Sequence, residues 1–290
     1  MILLWGVPGD PPLDAVRRIL LRSGVPTLLV DQRRPEGTSL TLEVGQRLTG
    51  TLIVGAMSVA LEDVSGIYLR PQDTTASAAL DDLLLTIAEL APGVVLNRPE
   101  AMAANTSKPY QYSQIRTAGF SVPETLITTS PDAACAFITQ HGSVIYKSIS
   151  GVRSIVGELR EADTARLAEI CWCPTQLQQR IHGVDVRVHV VGDVLFACEI
   201  RSDAVDYRYA HLSDADVQLS SITLPDECAD RCLALARAAR LPLAGIDFRR
   251  TDDGEWYCFE INPSPGFTYY QQATGAPIDA AVATLLARSR

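Results

Sequence analysis

One stretch near the C-terminal end, "AGIDFRRTDDGEWYCFEIN", constrains the fold more than any other part of the sequence. Two runs of β-branched and aromatic residues flank Asp253-Gly254, and an Asp-Gly pair in this setting is typical of a β-hairpin with a two-residue type I′ turn. Such a turn predicts four cross-strand pairs: Asp252 with Glu255, Arg250 with Tyr257, Phe248 with Phe259, and Asp247 with Glu260.

The predicted hairpin has one apolar face and one polar face, because side chains alternate along a strand. The apolar face, which we expect to join the core, carries Ile246, Phe248, Phe259 and Ile261. The polar face carries Asp247, Glu260 and Asn262. Two carboxylates directly opposite each other destabilise a sheet, so a positive group is needed beside them. Carboxylate and amide oxygens suit Mg²⁺, and we therefore predict a magnesium site; the alternative is a solvated face with an incidental acid pair.

A second hairpin is predicted around Gly192-Asp193 in "VDVRVHVVGDVLFACEI". Its valines form a core face, and its other face alternates acid and base in Asp185, Arg187 and His189. Such a face suits a nucleotide, which has a ribose to hydrogen-bond and phosphates to neutralise. A solvated face explains the same pattern.

Two lysines occupy positions where a phosphate could be held. Lys147 ends the apolar strand "SVIYK" and precedes "SISGVRS", whose backbone N–H groups and hydroxyls are typical of a loop that covers a phosphate. Lys108 lies at the polar start of a helix, where an ordinary surface role is the alternative.

Composition narrows the function classes. The chain has 290 residues, 47% of them hydrophobic and 20% charged, which is typical of a soluble globular protein. The net charge of −9 argues against nucleic-acid binding, which needs clustered Lys and Arg. The N-terminal "MILLWGVPGDPP" lacks the basic start and the length of a signal or membrane segment, so we expect a cytoplasmic protein that does not enter membranes. The seven cysteines are expected to be mostly core thiols, and a zinc site at "CWC" is disfavoured by its spacing.

The first hundred residues alternate short apolar runs with amphipathic ones, which predicts an open α/β sheet. The first helix has Asp10 as N-cap, two prolines in its first turn and Gly24 after its end. The preceding "GVPGDPP" is not the Gly-x-Gly-x-x-Gly of a dinucleotide-binding domain, which excludes a dehydrogenase of that type. After Asn97, helical and β segments follow, with mostly β patterning from Gln178 onward.

These motifs together resemble the ATP-grasp superfamily, specifically the RimK-like carboxylate–amine ligases and the graspetide (microviridin-type) peptide ligases. The resemblance rests on Lys108, "FSVPETLITT", "VIYKSISG", "QQRI", "GVDVRVHVVGD", Asp206-Tyr207-Arg208 and "AGIDFRR" with "GEWYCFEINPSPGF". It implies an α/β ATP-grasp fold with an N-terminal Rossmann-like open-sheet domain. The implied domains are residues 1–97, a central lobe over 98–177, and a C-terminal lobe with the metal site over 178–290.

The resemblance also implies roles for individual residues. Lys108 and Lys147 would contact ATP phosphates, Gln179, Arg180 and Ile181 would form the strand that reads the adenine, and Asp185 would bind the ribose. Arg187 and Arg208 would be catalytic, facing the γ-phosphate and an acyl-phosphate. Asp247, Glu260 and Asn262 would hold Mg²⁺, for which Mn²⁺ is expected to substitute.

The implied reaction is an ATP-dependent ligation of a carboxylate to an amine or peptide acceptor through an acyl-phosphate, giving an amide or an ester. Two departures concern the acceptor. Arg208-Tyr209-Ala210 replaces the Arg-x-Asn of glutamate-adding members, and Pro263-Ser-Pro-Gly-Phe267 replaces the Pro-Asn-Gly-Gln-Trp type of graspetide ligases. The alternatives are a small-molecule kinase on the same fold and a non-catalytic nucleotide-binding protein. The sequence leaves the oligomeric state open, with a homo-oligomer among the alternatives.

Overall fold

The computed structural model describes residues 1–45, 48–72, 77–103, 107–148, 157–159, 161–202 and 216–288. Its strands are β1 Ile2–Gly6, β2 Thr27–Asp31, β3 Thr38–Val44, β4 Leu48–Val54, β5 Met57–Ala60, β6 Gly66–Arg70, β7 Val94–Leu96, β8 Thr125–Thr128, β9 Val144–Ser148, β10 Gly157–Glu158, β11 Thr175–Gln179, β12 Val184–Val191, β13 Val194–Ser202, β14 Val217–Ile222, β15 Leu243–Arg250 and β16 Trp256–Asn262. Its α-helices are α1 Pro11–Arg22, α2 Ala78–Leu90, α3 Pro99–Met102, α4 Lys108–Thr117, α5 Pro131–His141, α6 Asp226–Ala238, α7 Thr268–Thr274 and α8 Ile278–Ala287.

The first sheet has four parallel strands in the order β2-β1-β6-β7, as the alternating pattern predicted. Alternate residues of β1 face opposite sides. Ile2 and Leu4 pack against α1 and α8, whereas Leu3 and Trp5 pack against α2 and a three-stranded antiparallel sheet of β3, β4 and β5. The likeness of this sheet to a Rossmann domain stays a prediction.

The start of α1 follows the predicted capping. The side chain of Asp10 accepts a hydrogen bond of 3.0 Å from the backbone N–H of Leu13, and the two prolines stand in the first turn. Gly24 follows the helix with φ +69°, a left-handed conformation that glycine adopts without a steric penalty.

The second sheet is antiparallel, with strand order β10-β9-β11-β8. One face is covered by α5 and by a 3₁₀ helix, Glu161–Trp172, around Leu177 and Val144. The opposite face carries Lys147 directly beside Gln176. Because β11 ends at Gln179, the proposed boundary between residues 177 and 178 falls inside a strand of this sheet.

The third sheet is antiparallel and has five strands in the order β14-β13-β12-β15-β16. Val186, Val188 and Val190 of β12 are buried against α6, so the predicted valine face is part of the core. The Gly192-Asp193 turn joins β12 to β13, and Gly192 has φ +61°.

The predicted register of the β15–β16 hairpin is wrong at its tip and right at its base. Arg250 pairs with Trp256 and Phe248 with Cys258, whereas Asp247 pairs with Glu260 as predicted. The loop is longer than two residues: the N–H of Thr251 donates to the Glu255 carbonyl, and Gly254 has φ +87°. A three-residue loop with glycine in a left-handed conformation is a common hairpin type.

A β-bulge between the tip and the pair of Asp247 with Glu260 restores the predicted register. The register shifts between Asp247 and Phe248, so Phe259 has no direct partner on β15. Consequently Cys258, rather than Phe259, is buried on this strand together with Ile261, and Phe259 is half-buried beside the guanidinium of Arg249.

Four of the seven cysteines are buried, and Cys135, Cys171 and Cys173 are exposed; all seven are free thiols. Within the described ranges, none of the helices has the length and hydropathy needed to cross a membrane. Helix α8, at the C-terminal end, packs on α1 of the first sheet. The division into three domains remains a proposal.

Candidate active site

The polar face of the hairpin brings the predicted metal ligands together. Asp247 lies directly opposite Glu260, and Asn262 lies opposite Gly245 on the same pair of strands. The intervening Ile246 and Ile261 are buried on the other face, which fixes the direction of the three polar side chains. Within the described ranges, no three His, Cys, Asp or Glu residues lie close enough together to hold a metal ion, so the candidate consists of two carboxylates and an amide.

Two cations balance the paired carboxylates in this structure. Lys108 Nζ lies 2.5 Å from Glu260 Oε2, and Arg187 Nη1 lies 2.6 Å from Asp247 Oδ1. Charge-assisted bonds of this length are strong ones. The sequence argument required a positive group beside the acid pair, and these side chains meet that need. Carboxylate oxygens are also the ligands that a hard divalent cation prefers.

Arg187 lies in a tightly packed pocket. Its side chain is 6% exposed, and its guanidinium carbon lies 5.7 Å from the centre of the Tyr270 ring. A Cβ built on Gly245 would lie 2.1 Å from Arg187 Nη2 and 2.8 Å from Cβ of Pro265. Gly245 therefore leaves the space that this guanidinium occupies.

His189 completes the buried side of this pocket. Its side chain is fully buried, its ring centre lies 5.0 Å from that of Tyr270, and its Nε2 lies 3.3 Å from the Gly266 carbonyl oxygen. Burial, with the nearby charge of Arg187, lowers the pKa of His189 well below its ordinary value. The same Nε2 also lies 3.5 Å from Arg187 Nε, so the ring tautomer decides whether Nε2 donates to the Gly266 carbonyl or accepts from Arg187.

Asp185, the predicted ribose ligand, is oriented by Arg249. Arg249 Nη2 lies 2.7 Å from its Oδ1, and Arg249 Nη1 donates to the carbonyl of Ile181 at 3.0 Å. The same arginine therefore connects Asp185 to the strand that was predicted to read the adenine. The guanidinium of Arg249 also lies over Phe259.

The strand predicted to read the adenine is connected to the second sheet. The backbone N–H of Gln179 donates to the backbone carbonyl of Glu124 at 2.9 Å, and that of Arg180 donates to the backbone carbonyl of Ser143 at 3.0 Å. The side chain of Arg180 forms an ion pair with Glu158. Because these two N–H groups already form hydrogen bonds within the protein, contacts with an adenine would have to come from other groups of this strand.

Lys147 lies on the second sheet beside a network of polar side chains. Its Nζ lies 3.4 Å from Oε1 of Gln178, whose Nε2 donates to the Tyr112 hydroxyl at 2.6 Å and to Thr125 Oγ1 at 3.0 Å. Lys108 and Lys147 are the two lysines of the whole sequence. Both therefore lie at positions predicted to bind phosphate.

Gln176 is a residue that the sequence reasoning missed. It is 1% exposed, and its Nε2 has no hydrogen-bond partner among the residues that the structure describes. It lines a cavity of about 200 Å³ together with Lys108, Pro109, Tyr112, Thr125 and Ile127. A buried amide without a partner is costly unless a ligand satisfies it. The signal in the sequence was the pair of glutamines at alternate positions, Gln176 and Gln178, in "TQLQQ".

Some predicted residues lie outside the described part of the chain. Arg208 falls within 203–215, and most of the Ser/Gly loop after Lys147 falls within 149–156. Their predicted roles stay predictions.

Comparison with known proteins places the geometry in context. Residues 108–286 match the family described as the RimK-like ATP-grasp domain. No curated protein matches the chain.

Three solved structures are similar over nearly the whole chain. The macrocyclase MdnC of Microcystis aeruginosa MRC, bound with precursor peptide MdnA, has a TM-score of 0.84 at 21% identity and covers 100% of both chains. The ATP-grasp ligase PsnB, complexed with a variant of its minimal precursor, Mg and ADP, has a TM-score of 0.83 at 26% identity, covering 98% of this chain and 97% of that one. D-alanyl-alanine synthetase A of Vibrio cholerae has a TM-score of 0.68 at 16% identity, covering 98% and 96%.

Proposed function

Because the chain belongs to the RimK-like ATP-grasp family, we propose that it is a Mg·ATP-dependent ligase that joins a carboxylate of a peptide to an amine or hydroxyl through an acyl-phosphate. The observation that carries the proposal is the placement of Asp247, Glu260 and Asn262 on one face, with Lys108 and Arg187 on the two carboxylates. ATP-dependent ligation follows from the family; the peptide, the metal and the acyl-phosphate are what we propose.

Asp247, Glu260 and Asn262 are the residues that would hold Mg²⁺. When bound, the ion supplies positive charge for the phosphate oxygens of ATP and the charge that moves onto the leaving ADP. The fit rests on the donor set, two carboxylates and an amide oxygen, which is typical of hard divalent cations.

The nucleotide would lie between the second and third sheets. Lys108 and Lys147 approach from the two sides and neutralise phosphate charge, and the amide of Gln176 donates into the cavity beside Lys108. Asp185, oriented by Arg249, accepts from the ribose hydroxyls. The strand from Gln179 to Ile181 contacts the adenine.

The reaction then proceeds in two steps. A carboxylate oxygen of the substrate attacks the γ-phosphorus, the bond from that phosphorus to the β,γ-bridging oxygen breaks, and ADP leaves. The acceptor nitrogen or oxygen attacks the acyl carbon, the bond from this carbon to the phosphate oxygen breaks, and phosphate and a proton are released. Arg187, and Arg208 on the acceptor side, stabilise the negative charge on the transferred phosphoryl group and on the tetrahedral oxyanion.

A peptide is the favoured substrate because of the structural neighbours. PsnB, at 26% identity, was solved with a precursor peptide variant, Mg and ADP together. MdnC and the Chryseobacterium gregarium ligase, which share the fold, were also solved with peptides.

The proposal is tested by trapping the acyl-phosphate. Purified protein is incubated with Mg·ATP, a panel of acidic peptides and hydroxylamine, and hydroxamate and ADP are measured. We expect hydroxamate with at least one peptide and, without hydroxylamine, a product that has lost one water per bond formed. Glu260→Gln should abolish both signals, whereas Asp252→Asn, an exposed acid at the tip of the same hairpin, should retain them.

Two outcomes would contradict the proposal. A stable phosphorylated product, formed without a second, nucleophilic substrate and unreactive toward hydroxylamine, would identify a kinase. ADP release that is equal in the wild type and in Glu260→Gln would show that the acidic face does not support catalysis.

A further inference from the structure

The loop of residues 263–267, which follows Asn262, is held by side chains from three distant elements. Asn97, at the end of β7, donates to the Pro263 carbonyl. Arg70, at the end of β6, donates from Nη1 to the Pro265 carbonyl at 3.0 Å and to Ser264 Oγ at 3.3 Å. His189 of β12 contacts the Gly266 carbonyl. Three carbonyls of a five-residue loop are thus fixed from outside the loop.

This loop determines the direction of Asn262. The backbone N–H of Ser264 donates to Asn262 Oδ1 at 2.8 Å. The same oxygen is the atom that a cation would bind, and an amide oxygen has two lone pairs, so one remains for a ligand. The position of Ser264 therefore sets the position of the amide oxygen.

Arg70 reaches the loop from the first sheet and is itself fixed there. Its Nε lies 2.6 Å from Asp10 Oδ2, and its Nη2 lies 3.2 Å from Asp10 Oδ1. The side chains of Arg70 and Asp10 are 12% and 9% exposed. Asp10 also caps α1, so this two-point ion pair is tied to the first helix. A two-point contact of arginine with a carboxylate fixes the direction of the remaining N–H groups.

Four hydrogen bonds from the guanidinium are therefore directed at protein atoms, two at Asp10 and two at the loop. The side chain is placed to orient the loop rather than to contact a substrate. Lysine in its place would keep the charge but would not reproduce the planar fork.

We propose that Arg70 is a positioning residue for Asn262: it holds Ser264 and Pro265 in place relative to the first sheet, and Ser264 in turn orients the proposed metal ligand. The metal part of this inference rests on the proposed function; the effect on the loop does not. The first sheet thereby adjusts the affinity of the site for a nucleotide-bound cation without contributing a ligand of its own.

The test compares Arg70→Lys with Arg33→Lys. Arg33 forms an ion pair with Asp31 at the end of the neighbouring strand β2 and is 53% exposed, so it is a matched control that does not contact the loop. Binding of Mn²⁺ in the presence of ADP is measured from the electron paramagnetic resonance of free Mn²⁺, and hydrogen exchange is measured for a peptide that contains Ser264. The KM for Mg·ATP and kcat are measured separately.

We expect Arg70→Lys to weaken Mn²⁺ binding about tenfold and to speed exchange at the Ser264 amide. Expressed as free energies, the change in the KM for Mg·ATP should exceed the change in the stability toward unfolding. Arg33→Lys should match the wild type in each measurement. If Arg70→Lys does not fold, Asp10→Ser decides, because it keeps a helix cap but removes the two-point contact; it should show the same changes in smaller measure.

Unchanged Mn²⁺ affinity and unchanged Ser264 exchange in the folded variant would overturn the inference. If the wild type itself bound no Mn²⁺ with ADP, the metal assignment of the proposed function would fail. Exchange at Ser264 would then still show whether Arg70 holds the loop.

Discussion

Lys108 Nζ lies 2.5 Å from Glu260 Oε2, joining the first turn of α4 to β16 across 152 residues of sequence. In this structure the lysine neutralises a carboxylate that we propose as a metal ligand. A cation at Glu260 would take over that neutralisation, and Lys108 would then pair with a phosphate. The lysine and the metal are thus expected to be exchangeable partners of one carboxylate.

Lys108→Met should lower kcat/KM for ATP by about 100-fold, because it removes a positive charge from the transferred phosphates. The free energy of unfolding should change by no more than about 1 kcal/mol, since the ion pair is partly exposed to water. ADP release and urea unfolding measure the two effects. Lys108→Arg keeps the charge and should retain part of the activity. Wild-type kcat/KM in Lys108→Met would contradict the phosphate role.

Acetylation of amines provides a test without mutation. The targets are the two lysines, Lys108 and Lys147, and the α-amino group of Met1, which donates to the carbonyl of Asp63. We expect Mg·ATP to protect both lysines, because their Nζ atoms would contact phosphates. The α-amino group, which belongs to the first sheet, should react equally with and without nucleotide and is the internal control. Mass spectrometry of the modified peptides reads out each amine; equal labelling of both lysines under the two conditions would exclude phosphate contacts.

Gly245→Ala should displace the guanidinium of Arg187, because the new Cβ would lie 2.1 Å from its Nη2. We expect a loss of about 1–3 kcal/mol in the free energy of unfolding, as for other overpacked sites, together with a large fall in kcat. Gly37→Ala is the control, because a Cβ at that position meets no atom within 4 Å. If the Gly245→Ala enzyme kept full kcat, Arg187 would not need its observed position for catalysis.

His189 should make stability depend on pH. Burial and the charge of Arg187 lower its pKa in the folded protein well below the ordinary value, whereas the unfolded chain takes up a proton near pH 6.5. Below about pH 6.5 the unfolded state therefore binds more protons than the folded state. As the pH is lowered through this range, the free energy of unfolding should fall by up to about 1.4 kcal/mol per pH unit.

Urea unfolding of His189→Gln across that range should lack this part of the slope. The exposed His182 gives the control variant His182→Gln, which should keep the wild-type slope. Parallel curves for the wild type and His189→Gln would show that folding does not lower the pKa of His189.

The base of the β15–β16 hairpin could be predicted from sequence because its faces follow strict alternation. Ile246 and Ile261 are buried, and Asp247 lies opposite Glu260, as expected. The tip could not, because the loop length depends on how Thr251 and Gly254 bond to their neighbours. The register is shifted by one residue at the tip, and the bulge shifts it back by one residue, so Asp247 still pairs with Glu260.

Contacts between distant segments had no local signal. The family resemblance indicated Lys108, but not that it would pair with Glu260, and nothing in "GIYLRPQ" indicated that Arg70 would reach Ser264. The two long-range contacts depend on how the sheets pack, which the periodicity of one segment does not report. Strands β3 and β5 were also missed, although Leu40, Leu42 and Val44 of β3 alternate with Thr41 and Glu43 as strand residues do.

The bulge at Phe259 divides the hairpin into an outer part at the tip and an inner part that contains Asp247 and Glu260, and the pairing register differs between the two. The inner part keeps its phase because Asp247 is also paired with Arg187 on the neighbouring strand β12. The outer part, from Phe248 to Cys258, has its own register. A change of length at the tip can therefore be absorbed on the β16 side of the bulge, while Asp247 and Glu260 stay aligned with β12.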